Sequence, residues 1–83
     1  MSLSLRVRFF GEFEAAAGVG DIAFVHEGEL RVDSLWDALC DKFPALNPIP
    51  GVRLVAVNED YAGEDAPLGE GDTVAFFPPV SGG

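Results

Sequence analysis

Leu3, Leu5, Val7 and Phe9 alternate with Ser4, Arg6 and Arg8, a period of two that predicts a strand with one buried face. Phe10 falls on the polar side of that alternation, and Gly11 ends it. Glu12–Ala17 reads as a short helix, with acids in its first turn and Gly18 just past its end. After a Gly18–Gly20 turn, Asp21–Glu27 alternates again, with Ile22, Phe24 and His26 set against Ala23 and Val25. The period then changes. Leu35, Trp36, Leu39, Cys40 and Phe43 fall at i, i+1, i+4, i+5 and i+8, one apolar stripe of a helix, with Asp33, Asp37 and Asp41 toward the other side. Asp33 or Ser34 is the expected cap, and Ser34 with Asp37 resembles a capping box that uses the shorter acid. Pro44 is the stop, because a residue before proline is pushed out of helical geometry.

Pro48, Pro50 and Gly51 make a stiff connector, and Val52–Val57 is apolar at nearly every position, as in a largely buried strand. Asn58–Asp60 is a turn, Tyr61–Ala62 a very short edge strand, Gly69–Asp72 a tight turn and Thr73–Phe77 the last strand. This order predicts an α+β domain: a mixed sheet of four to five strands, one main helix across it and a short helix after the first strand. The β-grasp fold has that order, although order alone does not separate it from other small α+β topologies. Residues 1–77 form the expected domain, and residues 78–83 an extended flexible tail.

Composition supports a packed core. At 83 residues, 48% hydrophobic with seven Phe, the chain has the apolar side chains for one domain and argues against disorder. One Cys and one His exclude an internal disulfide and a structural zinc site, so packing has to hold the fold. Five basic residues against 14 acidic ones leave a net charge of -9, and no basic residue follows Arg53. Nucleic acid and anionic membranes are therefore expected to be repelled. The acidic C-terminal third either solvates the chain or steers it toward a basic partner. No signal-peptide or membrane-span pattern is present, which predicts a cytoplasmic location.

Conventional catalytic parts are scarce. His26 reads as an ordinary half-exposed strand residue. Cys40 lies on the apolar stripe between acids, which makes an inert thiol. Glu59–Asp60 and Glu64–Asp65 are adjacent loop carboxylates, and adjacent residues rarely converge on one site. Glycines 18, 20, 69 and 71 form no phosphate cradle. The end of the chain is different. Pro78 and Pro79 lack backbone donors and hold an extended course. At ~3.3–3.6 Å per residue, Pro78–Gly83 reaches roughly 20 Å from the body. Gly82 and Gly83 carry no side chain, so the backbone, with a free α-carboxylate expected at its tip, can enter a channel too narrow for any other residue.

Val57–Asn58 and the run Leu68–Gly83, ending Phe-Phe-Pro-Pro-Val-Ser-Gly-Gly, resemble the C-terminal signature of the MoaD family of β-grasp sulfur carriers, the small subunits of molybdopterin synthase. Val7–Gly11 and the helix Leu35–Phe43 extend the resemblance over essentially the whole chain. Arg31 stands where the family often has Thr starting the helix, and the Pro-rich Asn47–Gly51 connector is a second departure. The resemblance implies that a MoeB-like partner, using ATP and Mg, adenylates Gly83, and that a cysteine desulfurase or rhodanese type donor converts it to a thiocarboxylate. The tail Pro78, Pro79, Val80, Ser81 and Gly82 would thread into a MoaE-like large catalytic subunit, in a heterotetramer of two small and two large chains. There sulfur passes to cyclic pyranopterin monophosphate, building the dithiolene that later holds molybdenum or tungsten. The chain itself would bind no cofactor or metal and would act as a non-catalytic sulfur donor.

Parity predicts the docking face. If Val7, Phe9 and Phe76 are core, Phe10 and Phe77 both point outward, and the β-grasp fold sets their strands side by side. Tyr61 resembles a third interface residue of the family. Three other readings compete: a carrier for thiazole, tungsten cofactor, cysteine or tRNA thiolation; a ubiquitin-like modifier of lysines; and an interaction module with an idle tail.

Overall fold

The computed structural model describes residues 2–47 and 54–78. Its elements run β1 (Ser2–Phe9), α1 (Gly11–Ala17), β2 (Asp21–Glu27), α2 (Val32–Lys42), a 3-10 turn at Pro44–Leu46, then β3 (Leu54–Val57), β4 (Asp60–Ala62) and β5 (Thr73–Phe77). The strands form one sheet in the order β2-β1-β5-β3-β4. β1 and β5 are parallel and central; the other three pairings are antiparallel. The expected strand at Val52–Val57 is seen from Leu54 onward, while Pro48, Pro50, Gly51 and the start of that strand lie outside the described residues. Leu54 is 37% exposed, because the sheet face it shares with Ala56 is not covered by a helix.

The helices lie on one side. Leu5, Val7 and Phe9 of β1 and Val74 and Phe76 of β5 point at Val32, Leu35, Trp36, Leu39 and Cys40 of α2. Trp36 joins the layers, its ring centroid 5.0 Å from both Phe76 and Phe13 of α1. Among the described residues no polar or charged side chain is buried.

The start of α2 corrects the expected cap. Arg31, not Asp33 or Ser34, is the N-cap, which places Ser34 two residues inside the helix. Ser34 Oγ accepts the Arg31 N–H at 3.1 Å, the reach-back half of a capping box, and Asp33 Oδ1 accepts the Ser34 N–H at 2.7 Å. Distant backbone takes the remaining donors: Val32 N–H donates to Ala66 O at 3.1 Å and Asp33 N–H to Glu64 O at 2.8 Å. The loop before β5 therefore satisfies orphan donors that a local side chain would otherwise need to meet. The end of α2 agrees with the expected stop, since Lys42 is its last residue and Pro44 opens the next turn.

Between β3 and β4, Asn58 (φ 51°) and Glu59 (φ 75°) are both left-handed, as a two-residue hairpin with the favoured twist requires. Asn58 also ties this hairpin to β5. Its Nδ2 donates to Asp72 Oδ1 at 2.8 Å, and its Oδ1 accepts the Thr73 N–H at 2.9 Å. Asp72 Oδ2 in turn accepts the Gly69 N–H at 2.7 Å, closing the turn that leads into β5.

Candidate functional site

The helix-free face of the sheet carries the candidate site. Arg8↔Ala75 and Phe9↔Phe76 are partners in the parallel β1–β5 register, so Phe10 arrives next to Phe77. Their rings stack with centroids 4.6 Å apart and planes 11° apart. Both are half-buried rather than covered. Tyr61, paired with Ala56 across β3–β4, stands on the same face and is 81% exposed. Between Tyr61 and the Phe pair the floor is small: Ala56 and Ala75 are register partners. The result is an open concavity of about 290 Å3 lined by Arg8, Phe10, Ala56, Glu59, Tyr61, Thr73, Ala75 and Phe77.

Pro78 marks where the tail leaves the body. It is half-buried beside Gly11, where a Cβ would fall 2.8 Å from Pro78 Cγ. The departure point is therefore adjacent to the aromatic pair. Pro79, Val80, Ser81, Gly82 and Gly83 lie outside the described residues.

The side chains set aside as unreactive sit where expected. His26 is half-buried on β2, its ring 6.5 Å from Phe24, and Cys40 is buried on the core-facing side of α2. Glu64 and Asp65 are exposed in the loop before β5. Among the described residues no cluster of three or more His, Cys, Asp or Glu could hold a metal ion. No helix among them is long and apolar enough to cross a membrane. Two features escaped sequence reasoning. Arg8 and Glu59 enter the concavity through strand pairing, although the parity that exposed Phe10 also exposes Arg8. A second open concavity, of about 590 Å3, lies by Leu3, Leu30, Arg31 and Pro67 at the far end of β1, assembled from separate loops that no local pattern links.

Comparison with known proteins decides the family. Residues 7–83 match the ThiS family model. The chain belongs to the ThiS family. The molybdopterin synthase sulfur carrier subunit of Caenorhabditis briggsae is 32% identical over 83 residues, spanning 98% of this chain and 99% of that protein. Among solved structures, small archaeal modifier protein 1 of H. volcanii superposes with a TM-score of 0.83 at 26% identity, covering 94% of this chain and 99% of its own. A chain from the complex of subunits 1 and 2 of the molybdopterin-converting factor of Helicobacter pylori gives a TM-score of 0.65 at 26% identity, covering 98% and 100%. The architecture of this ThiS-family chain is the ubiquitin-like β-grasp, as its sequence resemblance implied.

Proposed function

We propose that this chain is the sulfur carrier subunit of a molybdopterin synthase. The likeness to the C. briggsae subunit over nearly the full length of both chains carries this reading. A family match that runs through Gly83 supports it. In the proposed cycle an adenylating enzyme of the MoeB type, using ATP and Mg, joins the Gly83 carboxylate to the α-phosphate, and pyrophosphate leaves. The persulfide sulfur of a cysteine desulfurase or rhodanese type donor displaces AMP to form an acyl disulfide, and a second thiol reduces that bond, leaving the thiocarboxylate on Gly83 and a disulfide on the donor. A carboxylate is a poor electrophile and a poor sulfur donor; the mixed anhydride cures the first defect and the thiocarboxylate the second. Residues 78–83 then act as an arm that enters the large catalytic subunit, within a heterotetramer, and sulfur passes to cyclic pyranopterin monophosphate. Pro78 and Pro79 keep the arm extended, and Gly82 and Gly83 keep its end thin.

Phe10, Tyr61 and Phe77 are the proposed docking residues, since they form an apolar patch at the root of the arm. This chain contributes binding and positioning, while acid–base chemistry, ATP and Mg belong to its partners. The cycle belongs in the cytoplasm, where the Cys40 thiol stays reduced.

Intact mass spectrometry tests the reading. After incubation with ATP, magnesium, the adenylating enzyme and a sulfide source, the expected result is a gain equal to sulfur replacing oxygen, absent from a Gly83 deletion. No gain, beside a control carrier that reacts, would overturn it. The likeness to small archaeal modifier protein 1 favours a second reading, in which Gly83 is joined to lysines of target proteins. High-mass conjugates that survive reducing, denaturing electrophoresis would select it.

A further inference from the structure

Of the two arginines that β1 turns to this face, one reaches the concavity of Phe10 and Phe77. Arg8 lines the same concavity, with its guanidinium carbon 5.2 Å from the Phe10 ring centroid. Across the strands its register partners are Asp21 and Ala75. Asp21 is engaged elsewhere: its Oδ1 accepts a hydrogen bond from Arg6 Nη1 at 2.8 Å. Among the described residues Arg8 makes no ion pair of its own within 4 Å, although Glu14 and Asp21 line the surface on its other side. The Phe10 ring orients the guanidinium and answers part of its charge, but it offers nothing to the N–H donors.

Water serves those donors while the face is open. A partner laid over Phe10 and Phe77 removes that water, and a guanidinium covered by apolar surface alone is costly. Whatever docks here has to bring acceptors. A carboxylate matches best, because its two oxygens fit the planar fork of the guanidinium. We propose that Arg8 is a specificity-determining residue of the docking face, pairing with a carboxylate on the partner protein beside an apolar side chain that enters the trough over Ala56 and Ala75. This extends the sulfur-carrier reading, from which it takes only the premise that a protein partner covers this face.

Charge gives the pair its meaning. With a net charge of -9 the chain attracts an otherwise basic surface, so a single acid placed in that surface acts as a registration mark. Glu59 on the opposite wall of the concavity sharpens the choice. A partner docked the wrong way round would set its carboxylate against Glu59 and its cations against Arg8, both repulsive.

Calorimetric titration of the full chain with the large molybdopterin synthase subunit of the same organism tests the proposal. Arg8→Glu is expected to weaken binding by about thirtyfold or more and Arg8→Gln by about tenfold. Lys42→Gln, the same loss of charge at the exposed end of α2, should stay within about twofold. In a scan of acidic residues changed to lysine on the large subunit, one change should restore the Arg8→Glu complex. Arg8→Gln keeps the test sound if Arg8→Glu melts early beside Asp21. Should both Arg8 variants bind within about twofold of the unaltered chain while Phe77→Ala binds weakly, the Arg8 assignment falls and the docking face stands. If Phe77→Ala also binds normally, the docking face falls with it.

Discussion

Gly11 shows how one residue can settle where the tail begins. Its φ of +57° lies in the left-handed region, and a Cβ built there would meet the Pro78 ring at 2.8 Å. Either feature favours glycine; together they leave little tolerance, because a proline ring cannot swing aside as a long side chain does. Gly11→Ala is therefore expected to cost about 1–2 kcal/mol, read as a lower urea midpoint at constant slope. Amide shifts of Phe77 should move in the same variant, since the displaced ring adjoins that residue. Unchanged stability and shifts would show that Pro78 is not seated on Gly11. In the sequence this glycine was legible as a strand end, but its contact with a residue 67 positions away was not.

Strand β5 has alternate side chains with opposite tasks. Phe76 is fully buried against Trp36 and Phe9, whereas Phe77 is half-buried on the open face against Phe10. Truncating Phe76 to alanine should cost about 3–5 kcal/mol, a large part of the roughly 4–12 kcal/mol expected for a chain of this length. Phe77→Ala should cost about 1 kcal/mol or less while weakening the large-subunit complex about tenfold or more. Equilibrium unfolding and calorimetric binding on the same two variants check the contrast, and an equal loss of stability in both would overturn the face assignment. Alternation made this division legible before any coordinates, because a strand offers successive residues to opposite faces. Helix α2 was less transparent at its start, since its first donors are met by Ala66 and Glu64 carbonyls rather than by a side chain of its own.

At the scale of the molecule, charge dominates. The Arg6–Asp21 ion pair is well exposed at both ends, so it offers little favourable electrostatics for salt to weaken. The repulsion implied by a net charge of -9 is, by contrast, open to screening. Raising sodium chloride from about 0.01 M to about 1 M shortens the screening length from ~30 Å to ~3 Å and should raise the melting temperature at neutral pH. A falling melting temperature in a salt titration would reveal attractive contacts that outweigh the repulsion. The same titration should slow association with a basic partner, so stability and on-rate are expected to move in opposite directions.

Local pattern was enough for the elements, their order and the inward or outward sense of the residues in β1, β2 and β5, but not for β3, whose uniform apolar run hid the exposed side of Leu54. Those properties follow from periods of two and 3.6, which are local consequences of backbone geometry. Tertiary structure decided which exposed residues meet. The parallel pairing of β1 with β5 sets Phe10 against Phe77, and the β3–β5 register puts Ala56 beside Ala75 to open the trough. It also decided that Asp21 goes to Arg6 and leaves Arg8 facing the site. Pairing partners are distant along the chain, and their register is chosen by burying one face of the whole sheet under α2, so no window of sequence contains it.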